Sequence, residues 1–218
     1  MIGANKKFNR NYILLSLLLG YLCNTNNKTA EMYNIAIFAS GDGSNAENIA
    51  RHFAASTTAR VKYVLSNKSE AGVHRRMERL GIPSLTFAKQ QWLDGTEIAD
   101  FLKSEEIDLI VLAGFLSLVQ PPIIDAFPGR IINIHPSLLP KFGGRGMWGM
   151  NVHRAVLEAG ERESGITIHY VNNEMDCGDI ILQAHCPVAP DDTPETLCAR
   201  VHALEYLHYP TVIASLLQ

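Results

Sequence analysis

Short apolar segments alternate with amphipathic segments from Tyr33 onward. Residues 34–39 and 108–113 are almost entirely apolar, which is typical of strands that are covered on both faces of a parallel sheet. The stretches between such segments have the polar and apolar mixture of surface helices, and Gly81 and Gly160 mark helix ends. This alternation predicts an α/β fold with a single doubly wound, mostly parallel sheet flanked by helices. In such folds the ligand site lies at the carboxyl ends of the strands.

The individual elements follow from this pattern. Asn151 and Asp192 are predicted helix N-caps, because short polar side chains accept hydrogen bonds from the first turn. Pro210 is predicted to kink or end the first half of the last helix, because proline has no amide hydrogen. We predict strands at residues 34–39, 61–65, 84–87, 108–113, 131–134, 166–170 and 180–186, and helices at 45–55, 71–80, 96–104, 152–159 and after Asp192.

The turn Ser40-Gly-Asp-Gly-Ser-Asn45 leaves the first strand and opens a helix. Its glycines allow close backbone approach, and a helix N-terminus offers unpaired N–H groups to an anion such as phosphate. The turn is not a P-loop, because it lacks Gly-Lys-Ser/Thr. The dinucleotide pattern formed by Gly41, Gly43 and Ala46 also lacks an acidic residue after the second strand. A phosphate site and a tight turn without a ligand both remain open.

Asn133 and His135 end a buried strand and lie two residues apart, so their side chains point to the same face. An amide and a protonated imidazole there can stabilise an oxyanion, and the imidazole can also give up a proton. The alternative is a polar pair that satisfies loop backbone.

Asp176 lies in the loop between the last two strands. A carboxylate close to His135 would favour the imidazolium form, but an Asp before a glycine can also simply initiate a turn. Cys177 is a possible nucleophile, although no sequence pattern supplies its base. Glu205, inside the last helix, fits a solvated helix face equally well.

Composition narrows the function classes. The net charge of −3 provides no basic excess for a nucleic-acid partner. The four cysteines form no Cys-x-x-Cys pair and indicate reduced thiols in a cytoplasmic protein. The eight histidines show no metal-binding motif such as His-Glu-x-x-His, so no metal is expected.

Residues 1–31 have the layout of a secretory signal, with Lys6, Lys7 and Arg10 before an apolar run at residues 12–23. The run is too short to span a membrane comfortably, and the residues before Cys23 are not the small ones that a cleavage site needs. A strand begins directly after Met32. We therefore interpret 1–31 as an extension, either upstream of the true start or signal-like, and 32–218 as one domain.

Together these motifs resemble the folate-dependent glycinamide ribonucleotide formyltransferase family. The resemblance runs from Met32 nearly to the C-terminus, and the stretch Asn133-Ile-His-Pro-Ser-Leu-Leu-Pro140 is specific to enzymes that handle 10-formyltetrahydrofolate. It implies a Rossmann-like formyltransferase fold and formyl transfer to the amine of a ribose phosphate in purine biosynthesis. The other matching motifs are Ser40-Gly-x-Gly-Ser-Asn45, Ser66-Asn-Lys68, Leu112-Ala-Gly-Phe115, Asp176-x-Gly178, and Glu205 with Tyr209-Pro210.

The resemblance also implies roles for residues. Asn133, His135 and Asp176 would be catalytic, with direct transfer and neither a metal nor a covalent enzyme intermediate. Substrate would be bound through its phosphate by Gly43, Ser44 and Asn45, and through its glycinamide end by Glu205 with His202. The folate pterin would be enclosed by Leu116, Ser117, Leu118 and Val119 and by Asn172, Asn173, Glu174, Met175 and Asp176, with Asn133 beside it.

The chain departs from the family pattern at Ser117, where some relatives carry Arg. The partners implied are small-molecule substrates, with no nucleic acid or membrane, for a monomer or homodimer. Related enzymes use methionyl-tRNA or water as the formyl acceptor, but they normally add a C-terminal or an N-terminal domain. A non-catalytic folate- or nucleotide-binding protein of the same fold is a further alternative.

We predict that a chain started at Met32 is soluble, folded and fully active in formyl transfer, because the first strand begins immediately after this residue. Circular dichroism and a formyl-transfer assay on the shortened protein check this. Aggregation of the shortened protein, or a native N-terminus that maps upstream of Met32, would contradict it.

Overall fold

The computed structural model describes residues 32–218, so the predicted extension 1–31 lies outside the described residues. Within 32–218, seven strands form one sheet in the order β3-β2-β1-β4-β5-β6-β7. The first five are parallel, β6 is antiparallel to β5, and β7 is antiparallel to β6. The predicted mostly parallel sheet is confirmed. Its strands are β1 (Tyr33–Phe38), β2 (Ala59–Ser66), β3 (Ser84–Thr86), β4 (Leu109–Leu112), β5 (Ile131–His135), β6 (Glu163–Tyr170) and β7 (Ile180–Pro187).

The described residues form seven helices: α1 (Ser44–Phe53), α2 (Gly72–Leu80), α3 (Lys89–Asp94), α4 (Thr96–Ser104), α5 (Pro121–Ala126), α6 (Met150–Glu158) and α7 (Pro194–Leu216). The sequence did not predict α3 and α5, because six residues are too few to show a helical repeat of apolar positions. In α3 the Gln91 side chain accepts a hydrogen bond from the Ala88 amide, 2.7 Å away. In α5 the first residues are prolines, which need no amide acceptor.

The sheet has a core on each face, because alternate residues of a strand point to opposite sides. Ile35 and Ile37 of β1 belong to the cluster that packs against α1, α2, α6 and α7. Ala36 and Phe38 belong to the cluster that packs against α3, α4 and α5. Both faces of β1 are therefore dry, as its continuous apolar sequence predicted.

The strand order reverses at β1, which pairs with β2 on one side and β4 on the other. The turn of residues 40–45 after β1 and the loop of residues 113–120 after β4 (the β4–α5 loop) therefore leave neighbouring strands toward opposite halves of the sheet. A crevice at such a switch point is where open α/β sheets bind ligands.

Two predicted N-caps were wrong. Helix α6 begins at Met150, one residue before Asn151, because Gly149 turns the chain at φ 54° and ψ −135°, a conformation that favours glycine. At α7 the N-cap is Thr193, whose hydroxyl accepts from the Thr196 amide at 3.3 Å. The Asp192 carboxylate instead pairs with Arg200.

Pro210 does not end the last helix, which was one of the two predicted alternatives, because α7 continues to Leu216. Proline cannot donate to the carbonyl four residues earlier, and that carbonyl, on Tyr206, accepts instead from Asn48 Nδ2 of α1 at 3.0 Å. The fully buried Tyr209 hydroxyl donates to the Leu112 carbonyl at 2.9 Å. These bonds fix α7 against α1 and the sheet.

His153 lies on α6 and is buried, with 2% of its surface exposed. Burial, and secondarily the nearby His202, lowers the pKa of His153 to about 4. Its Nδ1 atom is enclosed and has no hydrogen-bond partner among residues 32–218. The folded protein therefore holds this imidazole neutral at pH values where an exposed histidine would be protonated.

We predict that this histidine weakens the fold as the pH falls. Between pH 6.5 and about 4 the unfolded chain binds a proton that the folded chain excludes, so the free energy of unfolding decreases as pH falls through this window. Between pH 7 and pH 5 this single group should cost about 2 kcal/mol. Urea unfolding of the wild type and of His153→Gln at both pH values measures the difference.

The control for that measurement is His52→Gln, which changes an exposed histidine at the end of α1. It should lose as much stability on acidification as the wild type does. An acid-induced loss in His153→Gln equal to that of the wild type would show that His153 is not responsible.

Candidate active site

Gly43 shapes the turn of residues 40–45. Its φ of 80° lies in the left-handed region, and a Cβ atom placed on it would overlap the Val73 side chain of α2. Only glycine meets both demands. The chain consequently enters α1 at Ser44, where the N–H groups of a first helical turn have no intrahelical acceptor. The predicted group Gly43, Ser44 and Asn45 thus forms a helix N-terminus that is suited to an anion.

Asp42 lies in the same turn, and its negative charge is compensated. Arg76 of α2 pairs with the carboxylates of Asp42 and Glu47. The hydrogen bond from Arg76, followed by that from Arg51, lowers the pKa of Glu47. Both carboxylates are therefore held by arginine next to the N-terminus of α1.

Asn45 and Glu205 meet across the structure although 160 residues separate them: Asn45 Nδ2 donates to Glu205 Oε2 at 2.7 Å. Glu205 is buried, with 5% of its surface exposed, so its interpretation as a solvated helix face is wrong. Burial raises the pKa of Glu205, and the Asn45 hydrogen bond opposes this. His202 Nε2 lies 3.5 Å from the same carboxylate oxygen. The predicted substrate residues on α1 and α7 therefore form one cluster.

His135 is held by the backbone at one ring nitrogen. His135 Nε2 lies 2.8 Å from the Phe142 carbonyl oxygen. Because a carbonyl can only accept, the hydrogen is on Nε2, and a neutral ring presents Nδ1 as a lone pair. Nδ1 lies 3.6 Å from Asp176 Oδ2. A proton taken up at Nδ1 would therefore lie beside a carboxylate.

Asp176 is oriented by a backbone amide. Its Oδ2 atom accepts from the Gly144 amide at 2.8 Å. A Cβ atom on Gly143 would lie 2.6 Å from Leu139 and 3.4 Å from the Asp176 Cβ, so glycine lets this loop lie flat against Asp176. Asp176 has a φ of 55°, which is rare for a residue with a side chain. Such strain is found where a site over-determines the backbone.

His169 is the residue that the sequence analysis missed. It lies opposite Asn133 in the antiparallel pairing of β6 with β5. Its Nδ1 donates to the Tyr170 carbonyl at 2.8 Å, so its Nε2 accepts from Asn133 Nδ2 at 3.1 Å. Burial lowers the pKa of His169, which favours this neutral form. The signal available in the sequence was a histidine between Ile168 and Tyr170, inside a predicted strand.

The bend between His135 and Phe142 is fixed by Thr167, which is also fully buried. The Thr167 hydroxyl donates to the Ser137 carbonyl at 2.7 Å and accepts from the Leu139 amide at 3.0 Å. Gln183 donates to the same hydroxyl at 2.9 Å. The loop that carries the Phe142 carbonyl, the hydrogen-bond partner of His135, is thereby fixed to strands β6 and β7.

The residues predicted to enclose a pterin are mostly exposed. Leu116 and Leu118 of the β4–α5 loop are about half exposed, at 49% and 55%. Ser117 accepts a hydrogen bond from Asn67 Nδ2 at 2.8 Å. Val119 is different, because it is buried in the core beside Ile123. The second predicted group, Asn172, Asn173, Glu174 and Met175, is exposed in the loop between β6 and β7.

Cys177 is exposed, and no hydrogen bond joins it to a histidine in the described part of the chain. Within residues 32–218, no group of three His, Cys, Asp or Glu side chains has the arrangement of a metal site. No helix in that range combines the length and apolarity needed to cross a membrane.

Comparison with known proteins agrees with this geometry. The model of the family described as "Formyl transferase" matches residues 33–213. The chain is 42% identical to a chloroplastic phosphoribosylglycinamide formyltransferase from Arabidopsis thaliana and 40% identical to the Haemophilus influenzae enzyme of that name, over 188 residues in each case. The alignments cover 84% of this chain, with 64% of the plant protein and 86% of the bacterial one.

Solved structures are similar as well. A glycinamide ribonucleotide transformylase from Geobacillus kaustophilus superimposes with a TM-score of 0.79 at 36% identity, over 86% of this chain and 100% of that one. The family match spans β1 to α7, and it includes the strand end that carries Asn133 and His135 and the loop that carries Asp176. The chain therefore belongs to the formyl transferase family.

Proposed function

We propose that this formyltransferase moves the formyl group of 10-formyltetrahydrofolate to the amine of 5-phosphoribosylglycinamide, a step of de novo purine biosynthesis. The observation that carries the proposal is the position of Asp176. One carboxylate oxygen lies 3.6 Å from His135 Nδ1, and the other lies 3.8 Å from Nε2 of His169, which holds Asn133. A carboxylate, an imidazole and an amide thus converge as amine acylation requires.

The acceptor substrate would lie between α1 and α7. Its phosphate would bind the N-terminus of α1 at Gly43, Ser44 and Asn45, where the helix dipole favours negative charge. Its glycinamide end would meet Glu205, assisted by His202. The Asn45–Glu205 hydrogen bond supports this placement, because it connects the phosphate turn directly to the carboxylate.

The folate would lie on the other side of the catalytic groups. The half-exposed Leu116, Leu118 and Met175 offer apolar surface at this side, and flat aromatic ligands gain most of their binding free energy from such surface. Ser117, with Asn172, Asn173 and Glu174, would supply polar contacts. Val119 would support this surface from the core and not touch the ligand.

The catalytic residues would stabilise the charge that develops on the formyl oxygen and assist the transfer of a proton from the amine. Bound 10-formyltetrahydrofolate would supply an electrophilic formyl carbon; the amine forms a bond to it, and tetrahydrofolate leaves with the displaced proton on N10. Asn133 has one amide hydrogen on His169, so its other amide hydrogen is available for the charge that develops on the formyl oxygen. His135, protonated at Nδ1, would donate to the same oxygen, and Asp176 would stabilise that cation and assist proton movement.

The finer assignments belong to the same proposal. The substrates are small molecules, and neither a nucleic acid nor a membrane takes part. The enzyme would act in the cytoplasm as a monomer or homodimer without a metal ion. A chloroplastic relative shows that proteins of this kind also work in organelles.

The proposal predicts that the purified protein releases tetrahydrofolate from 10-formyltetrahydrofolate only when glycinamide ribonucleotide is present. Absorbance of the deformylated folate measures the rate, and mass spectrometry identifies the formylated amine. Formate release at the same rate without the amine would identify a hydrolase. Folate binding without turnover would identify a binding protein.

A second prediction concerns the catalytic pair. Loss of one oxyanion donor typically lowers turnover about 10²- to 10³-fold, so Asn133→Ala should fall in this range, and Asp176→Asn should lose at least as much. His135→Ala combined with Asp176→Asn should lose far less than the product of the single losses, because the two residues act as a unit. Steady-state kcat values decide this.

The matched control is Asp179→Asn, which changes an exposed carboxylate in the same loop. It should leave kcat almost unchanged. A double mutant whose loss equals the full product of the two single losses would rule out a coupled pair.

A further inference from the structure

Ser40 is a buried hydroxyl that has no assigned role in the site, and 3% of its surface is exposed. It begins the turn of residues 40–45, directly after β1. Its amide donates to the Gly114 carbonyl at 3.0 Å, and its hydroxyl oxygen accepts from the Leu116 amide at 2.9 Å. One residue of the phosphate turn therefore makes two hydrogen bonds to the backbone of the β4–α5 loop.

The two bonds involve Gly114 and Leu116, the residues on either side of Phe115. The Phe115 ring is fixed by aromatic packing. The Phe115 ring packs against Trp92, with centroids 4.6 Å apart, and against Phe38, at 5.5 Å. The backbone on either side of this ring can then move relative to β1 only if the bonds to Ser40 change. The position of Leu116, whose side chain would contact folate, is set by a residue of the phosphate turn.

The phosphate turn is held equally firmly at its other end. The Gly41 carbonyl accepts from the Val73 amide of α2 at 3.2 Å, and Gly43 lies against the side chain of the same valine. Arg76 of α2 pairs with Asp42. A ligand bound at this turn therefore contacts a segment whose backbone is bonded to α2 and, through Ser40, to the β4–α5 loop.

We propose that Ser40 is a positioning residue that couples the two substrate sites. This inference rests on the proposed function, which assigns the turn to the ribose phosphate and the β4–α5 loop to folate. Binding of the phosphate substrate fixes Ser40 and thereby orders Leu116 and its neighbours for folate. Because coupling between binding sites is reciprocal, each ligand raises the affinity for the other by the same factor.

The chain offers a matched comparison in Asn67. Asn67 Nδ2 also donates to the β4–α5 loop, at Ser117 Oγ, over 2.8 Å. It lies on the turn after β2 and does not belong to residues 40–45. Ser40→Ala and Asn67→Ala thus each remove one side-chain hydrogen bond to the same loop. Only Ser40→Ala weakens the connection to the phosphate turn, which then keeps just the bond from the residue 40 amide to the Gly114 carbonyl.

The test measures the affinity for tetrahydrofolate with and without glycinamide ribonucleotide, and the reverse, by calorimetry. This ligand pair carries no formyl group and cannot react. The wild type should show a coupling factor of about two- to tenfold, the range that one neutral hydrogen bond provides. Ser40→Ala should bring the factor closer to one, because it removes the hydroxyl bond and keeps the amide bond. Asn67→Ala should weaken folate binding alone and keep the factor.

Kinetics provide a second readout. Ser40→Ala should raise KM for 10-formyltetrahydrofolate at saturating amine while kcat changes much less, because Ser40 contacts no reacting atom. Ser40→Cys, similar in size but a weaker acceptor, should lie between the wild type and Ser40→Ala, and it replaces the alanine variant if thermal melting shows that the latter does not fold.

The outcomes separate this inference from the proposed function. A wild type that does not transfer the formyl group to the amine contradicts the function. An active wild type whose coupling factor is one, or is unchanged in Ser40→Ala, overturns the role of Ser40. Equal loss of coupling in Ser40→Ala and Asn67→Ala overturns it too, because it would show that any anchor of the loop suffices.

Discussion

The parallel pairing of β1 with β4 and of β4 with β5 is the constraint on which the site depends. In this register Phe38 lies beside Leu112, and Leu112 lies beside Asn133. Ser40, Gly114 and His135, each two residues further along, therefore lie at the same level, at the carboxyl ends of these strands. The turn of residues 40–45, the β4–α5 loop and the end of β5 that carries Asn133 and His135 are neighbours because three strands end together.

The buried histidines at this edge are stable because each has partners, since an unpaired buried polar group is costly. The partners of His135 come from the backbone of the following loop and from Asp176. His169 is held by its neighbour's carbonyl and by Asn133. Networks of this kind are rigid when they are satisfied, and rigid placement of charge and donors is what acyl transfer requires.

Helix α7 brings Glu205, a residue of the proposed acceptor site, to Asn45 of α1. Asn48 satisfies the carbonyl that Pro210 leaves free, and Tyr209 bonds to β4. The helix is thereby continuous through the proline and fixed to the sheet. Glu205, one turn before Tyr209, is consequently held at Asn45 in spite of the cost of burying a carboxylate.

The sequence by itself determined the class of the sheet and which residues are candidates for the site. Continuous apolar segments such as 109–112 can bury both of their faces only between two layers of helices. The two-residue spacing of Asn133 and His135 places both side chains on one strand face. The turn Ser40–Asn45 and the specific run after Asn133 carried the family resemblance, which the family match confirms.

Only the tertiary structure decided which distant groups meet. His169 faces Asn133 because β6 pairs antiparallel with β5, and strand order is a property of the whole sheet. The start of α6 at Met150 depended on the backbone conformation of Gly149. The start of α7 after Thr193 depended on the Thr193 cap, and its continuity through Pro210 on a hydrogen bond from another helix. Ser40 looked like an ordinary turn residue, because its hydroxyl gains its partner only when β4 is laid beside β1. Local sequence restricts backbone and burial, whereas long-range hydrogen bonds require that the chain has already folded.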